Sequence, residues 1–180
     1  TMLLGLGTRM AMVAAVFHTL NHATFKAAMF MSAGIVDHET GTRDVRRLGG
    51  LRRLMPITSA LAIVAAASMA GVPLLNGFLS KEMMLEEAAH TVYADQAWLF
   101  PLLATVGAVL SVAYSARLVF RVFLGPERKD YPKHPHDPPV GMWLPVAILV
   151  VPIIAIGVLP ATFAGAIVER TALCLLYTSD

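Results

Sequence analysis

Apolar residues fill four long stretches of the chain, at about 10–36, 56–89, 97–124 and 142–168, and charged residues gather between them. A hydrocarbon core about 30 Å thick takes about 20 residues of helix, so each stretch is long enough to cross a bilayer. The pattern predicts an all-α fold, a polytopic transmembrane helix bundle of about four spans. The second stretch is too long for one plain span, since about 34 residues make about 51 Å of helix. Gly71, Pro73, Asn76 and Gly77 interrupt it. Proline removes a backbone donor and glycine permits unwinding, which predicts a discontinuous helix broken near 71–77. Ser80, Lys81 and Glu82 follow at once, so the break and the ionisable pair form one local feature. The plainer alternative is two short helices joined by a turn, with Lys81 and Glu82 at the far interface; tilt and unwinding leave the depth of Lys81 open.

The connections alternate in character. Residues 37–55 carry Arg43, Arg46, Arg47, Arg52 and Arg53 against Asp37, Glu39 and Asp44, and residues 125–141 carry Arg128, Lys129 and Lys133 among five prolines. The positive-inside rule assigns both loops to the cytoplasm. The short acidic segment 86–96, with Glu86, Glu87 and Asp95, suits the opposite side. Trp98 and Phe100 are expected as an interfacial anchor for the third span, with Arg117 and Arg121 snorkelling at its other end. Pro145, Pro152 and Pro160 predict kinks in the fourth span. His134, His136 and Asp137 look like a metal site in miniature, but a closed structural site wants four ligands and the prolines around them predict an exposed linker, so no metal is assigned.

Within the first stretch His18, His22 and Lys26 lie at i, i+4 and i+8. On a helix they step round by about 40° each and climb about 12 Å, forming one narrow polar line. Lys26 would sit roughly 10 Å from the nearer interface, beyond easy reach of its side chain. Ionisable groups at that depth cost about 2.5–3.5 kcal/mol each on insertion scales, which points to a polar interior path or a partner. The bland alternative is histidines that hydrogen-bond a neighbouring helix, with Lys26 paired to a carboxylate elsewhere.

Composition agrees with the membrane reading. The 180 residues are 57% hydrophobic and 14% charged, against about a quarter charged in a soluble domain. The net charge of +2 comes with most arginines in the loops, so nothing favours nucleic acid. The single Cys174 rules out a disulfide framework within the chain. There is no complete Walker motif, and Gly5-Leu6-Gly7 lacks the surroundings of a dinucleotide fingerprint. The opening TMLLGLGT reads as the end of one apolar segment running into the next, and the closing CLLYTSD continues no earlier pattern. The expectation is a fragment of a longer transmembrane domain over 1–168, with 169–180 an unplaced and foreign tail.

The stretch FHTLNHATFKAAMFMSAGIVDHETGTRDVRRLGGL followed by AGVPLLNGFLSKE closely resembles the antiporter-like membrane subunits. These include the proton-pumping subunits of respiratory complex I and the Mrp-type multisubunit Na+/H+ antiporters, and HETGTRD is more similar to the large A-type subunit of the latter. The resemblance implies two inverted repeats of five helices with broken helices in equivalent positions and a polar axis at mid-membrane. It implies that His18, His22 and Lys26 belong to that axis, and that Lys81, with Glu82 beside it, is the lysine on the broken helix that holds a proton at one end of the path. It implies no cofactor, and as partners the other subunits of a membrane antiporter complex, H+, Na+ and the bilayer of a bacterial inner membrane. On this footing the histidines relay protons, Lys26 biases them and Lys81 is the terminal store. Histidine titrates near neutrality and burial makes a charged ammonium costly, so proton exchange at physiological pH is chemically reasonable.

Three functions stay open at this point. The first is an ion-translocating subunit of a Na+/H+ antiporter, a secondary transporter and not an enzyme. The second is a proton-pumping subunit of a quinone-reducing complex, driven by redox chemistry elsewhere. The third is a structural membrane subunit kept for assembly alone.

Overall fold

The computed structural model describes residues 2–92, 96–128 and 131–177. The described elements are helices: α1 (Met2–Leu6), α2 (Arg9–Thr40), α3 (Leu51–Leu54), α4 (Pro56–Ala70), α5 (Asn76–His90), α6 (Leu99–Leu118) running on into a π-helical turn (Val119–Leu124), α7 (Val140–Val158) and α8 (Pro160–Tyr177). Helix α2 is the centre of the bundle and packs against α1, α4, α5, α7 and α8. Alanines make the α2–α4 seam close: Ala28, Ala62, Ala65 and Ala66 are all buried, and small side chains are what lets membrane helices approach. Phe25, Met29, Ile35 and Val36 of α2 continue this core towards Phe123 and towards Val146, Val150 and Ile153 of α7.

The outer faces are apolar. Leu102, Leu103, Val106, Val109 and Leu110 of α6, and Ile148, Val151 and Ile154 of α7, are exposed. The α6 helix with its π turn and α7 are long and apolar enough to cross a membrane, and only 11% and 17% of their most apolar windows are buried. The core helix of a soluble domain shows the reverse. Helix α4 is apolar but has 15 residues, and the polar side chains of α2 dilute its hydropathy although it runs for 32 residues.

Several boundaries differ from the sequence expectation, each for a local reason. The first apolar stretch extends through Asp37, His38 and Glu39 to Thr40, because Gly41 at φ 72° caps the helix and donates its N–H to the Asp37 carbonyl; these residues are helical and do not begin the loop. At its other end the Thr8 side chain accepts from Ala11 N, so α2 begins sharply after Gly7. The expected 142–168 span is two helices: Leu159 turns its N–H back to the Ala155 carbonyl and Pro160 opens α8. Pro145 and Pro152 lie inside α7. Helix α8 carries on through Glu169 to Tyr177, so most of the expected tail is helical; 178–180 lie outside the described residues.

The two basic loops pack on each other. Gly49 and Gly50 allow the backbone of 126–127 to lie directly on them: a Cβ on Gly49 would fall 2.4 Å from the Pro126 carbonyl oxygen, and one on Gly50 would fall 2.6 Å from Glu127 Cα. The Tyr131 hydroxyl donates to the Gly49 carbonyl. Asp137 reaches across to accept from the backbone N–H groups of Ile57 and Thr58 at 3.1 Å and from the Thr58 hydroxyl at 3.0 Å, capping α4. His136 stands 3.3 Å from the buried carboxylate of Glu39, which also pairs with His38 at 2.9 Å. The proline-rich segment is thus strapped down through Tyr131, His136 and Asp137.

Candidate functional site at the helix break

The break falls at Gly71–Leu75, between α4 and α5. Gly71 adopts φ 88° as the C-cap of α4, and Leu74 is held at φ 70°, a left-handed value rare for a side chain of its size. Gly157 of α7 lets this segment pack tightly, since a Cβ there would lie 2.3 Å from the Leu74 carbonyl oxygen. Asn76 and Gly77, expected inside the break, form the first turn of α5.

A buried polar clasp holds the two half-helices. Ser68 Oγ donates to Asn76 Oδ1 at 2.7 Å and accepts from Gly77 N at 3.1 Å. Asn76 Nδ2 donates to Asn21 Oδ1 and to Thr24 Oγ1, both at 3.0 Å, which ties the break to α2. Gly77 must be glycine, because a Cβ would sit 1.9 Å from the Ser68 carbonyl oxygen.

Lys81, one turn into α5, folds back over the break. Its ammonium donates to the Ala70 carbonyl at 3.1 Å and to Ser111 Oγ of α6 at 2.6 Å, while Ser111 Oγ donates to the Met69 carbonyl at 3.0 Å. The last carbonyls of α4, orphaned by the break, thereby find a cation and a hydroxyl at the negative end of the helix dipole. Gly71 leaves room for this, since a Cβ there would press on Lys81 Cδ at 3.1 Å.

The histidines meet the same place from α2. His18 Nδ1 lies 3.1 Å from Ser80 Oγ, and the His18 and His22 rings are 5.8 Å apart. A cavity of about 310 Å³ is lined by His18, His22, Lys81 and Ser111, with Gly107 and Ala108 of α6 providing the space. At about 30 Å³ per water it has room for a short water chain. A second, more open cavity of about 700 Å³ is also lined by Lys81, beside Glu82 and Glu86. Lys26 stands apart: its ammonium lies over the rings of Phe30 and Tyr114, at 5.5 and 5.2 Å from their centroids, and does not line the first cavity. Sequence reading missed Ser111, Asn21, Thr24 and Ser68, whose only signal is a small polar residue in an apolar helix.

Apolar outer faces and polar side chains converging on a break inside the bundle define a membrane protein with a polar interior. Its family follows from comparison. Residues 1–111 match the transmembrane family described as NADH:quinone oxidoreductase/Mrp antiporter, and the chain belongs to it. Over 98% of its length it is 51% identical to the A/B-type subunit of a probable K+/H+ antiporter of Rhizobium meliloti (strain 1021), covering 18% of that protein. It is 45% identical to the A-type subunit of the Na+/H+ antiporter of Bacillus subtilis (strain 168), over 88% of this chain and 21% of the relative. Among solved structures, the Mrp complex from Dietzia sp. DQ12-45-1b matches 94% of this chain and 18% of its own, with a TM-score of 0.79 and 37% identity. The chain therefore spans about a fifth of the length of the relatives it matches.

Proposed function

We propose that this chain is part of the ion-translocating subunit of a multisubunit monovalent cation/proton antiporter, and that it moves protons along His22, His18 and Lys81. The observation that carries the reading is the Lys81 ammonium seated on the broken end of α4 while facing a cavity shared with both histidines. A proton on His18 reaches Lys81 through water in that cavity, and leaves towards Glu82 and Glu86 through the second one. Like charges repel strongly across a poorly solvated interior, so a proton on one site disfavours the next, and this drives the relay in steps. Lys26, held by aromatic rings one turn beyond His22, sets the local potential and does not carry the proton.

In this reading α2, the α4–α5 pair, α6 and α7 cross the membrane, giving four spans, and 1–168 is a piece of the larger transporting domain. The packing of the two basic loops on each other supports a common side for 37–55 and 125–141, which we assign to the cytoplasm of a bacterial inner membrane. The partners are the other subunits, H+ and Na+ or K+, without a cofactor. The names of the antiporter relatives support a secondary transporter in preference to an enzyme.

The experiment is cation-dependent proton flux in inside-out vesicles from a host lacking its own antiporters and expressing the complete parent operon, with wild type beside Lys81→Ala. Flux on adding Na+ or K+ without NADH or quinone, lost in the variant, is the expected result. A wild-type level of flux in Lys81→Ala would exclude the assigned site. The family description also names NADH:quinone oxidoreductase, which supports a second reading as a redox-driven proton pump. Acidification driven by NADH, with no response to Na+ or K+, would select it.

A further inference from the structure

Four carbonyls at the C-terminus of a helix lose their intrahelical partners. In α4 those of Ala67 and Ser68 are taken by the N–H groups of Gly71 and Val72. Those of Met69 and Ala70 turn to Ser111 and Lys81. Ser111 commits its proton to the Met69 carbonyl and presents its oxygen to Lys81 Nζ at 2.6 Å. The ammonium thus lies in a cradle of oxygens at the negative end of a half-helix, and Lys81 lines two cavities. Oxygen donors at the broken ends of membrane helices are suited to alkali cations as well as to ammonium.

We propose that this cradle, made by the Ala70 carbonyl and the Ser111 hydroxyl oxygen and completed by water, is a transient binding site for an alkali cation, Na+ or K+, occupied in turn by protonated Lys81. The proposal rests on the antiporter reading and deepens it by placing the exchanged cation. When Lys81 gives its proton to water in the adjoining cavity, the amine no longer competes and the cation takes the oxygens. When Lys81 is protonated again, the cation is expelled. One place that holds either charge, and never both, couples the two fluxes by exclusion. The titratable groups facing it are His18 and His22 from α2 and Glu82 and Glu86 from α5; at this place α4 and α6 present carbonyls and a hydroxyl, and α7 has no titratable side chain. The glutamates on the open side provide a local excess of cations without being ligands.

The test uses the complete complex in everted vesicles, measuring proton flux against Na+ and, separately, K+ at several pH values, for wild type, Ser111→Ala and Ser111→Thr. In wild type the apparent KM for the cation should rise as pH falls, by up to about tenfold per unit, as for two ligands sharing one site. Ser111→Ala should raise that KM by about tenfold with maximal rate within about twofold, and Ser111→Thr, which keeps the hydroxyl, should stay near wild type. A KM unchanged in Ser111→Ala, or a loss confined to maximal rate, overturns the site and leaves the antiporter reading standing. Wild-type flux indifferent to both cations overturns both. If Ser111→Ala fails to assemble, Ser111→Cys takes its place: a KM raised in the cysteine variant and not in the threonine variant supports the site, and equal values overturn it.

Discussion

Asn76→Ala tests whether the clasp holds the break. The substitution removes three hydrogen bonds at once: from Ser68 Oγ at 2.7 Å, to Asn21 Oδ1 at 3.0 Å and to Thr24 Oγ1 at 3.0 Å. Interhelical hydrogen bonds in membrane proteins average about 0.6 kcal/mol by double-mutant cycles, which gives roughly 2 kcal/mol for three. The water-soluble average of about 1 kcal/mol would give about 3. The lower figure applies to Ser68 and Thr24, whose hydroxyls can turn to a carbonyl of their own helix. The higher applies to Asn21, which is 1% exposed and would keep an oxygen with no donor. The expected cost is therefore about 2–3 kcal/mol, enough to shift an opening equilibrium of the break by about 30- to 150-fold. The assay is thermal unfolding of the purified complex followed by size-exclusion, in a double-mutant cycle with Ser68→Ala. The cycle should return a coupling of about 0.5–1 kcal/mol for that pair. Asn76→Ala within about 0.5 kcal/mol of wild type, with full cation-dependent flux, would refute the claim that the clasp sets the break.

Gly77→Ala should cost roughly 1–3 kcal/mol by overpacking, because its Cβ would fall 1.9 Å from the Ser68 carbonyl oxygen and α4 and α5 must separate; the yield of assembled complex reads it. Asp137→Ala should cost about 1 kcal/mol by uncapping α4, and Asp137→Asn should retain most of the cap; thermal unfolding of the complex separates the two. Burial pushes the Tyr131 phenol above its ordinary range, and only the protonated phenol can donate to the Gly49 carbonyl. An acid whose folded value is raised contributes stability below its unfolded value, about 10, and loses it as pH rises through the folded one. The hold on the loop should therefore be constant through physiological pH and fade only above about pH 10, and Tyr131→Phe should abolish that alkaline step in hydrogen exchange of 131–139.

Much of the fold was legible because a bilayer imposes long-range regularities on sequence. Hydropathy located the helices, and the cluster at 71–77 located the break, since proline and glycine act on their own backbone. Legibility stopped where tertiary packing chose between local options. Nothing in DHET marks Glu39 as a buried carboxylate facing His136 from the far loop, because a charged helix end next to arginines reads as solvated. Asp137 looked like a linker residue or a weak ligand, whereas its partners are backbone N–H groups some eighty positions earlier, which have no sequence signature. Lys26 shared the helical line of the histidines, but a line four residues apart drifts round the helix, and at the third member it has turned from the cavity to the rings of Phe30 and Tyr114.

The spacing of Gly71 and Lys81 has a physical reason that ties the break to the chemistry. A helix ending inside a membrane leaves carbonyls without intrahelical partners, and each costs free energy until something donates to it. A lysine placed on the opposite half-helix could serve only if the connection were short enough for the side chain to return to that end. Here Gly71–Leu75 turn the backbone, and the opening turns of α5 bring Lys81 beside Gly71, which has no side chain to block it. In the proposed relay the stabilising cation and the mobile proton are then the same group. Lys81 cannot lose its proton without weakening the cap on α4, and α4 cannot open without exposing the lysine, so protonation and the state of the break are linked whichever energy source drives them.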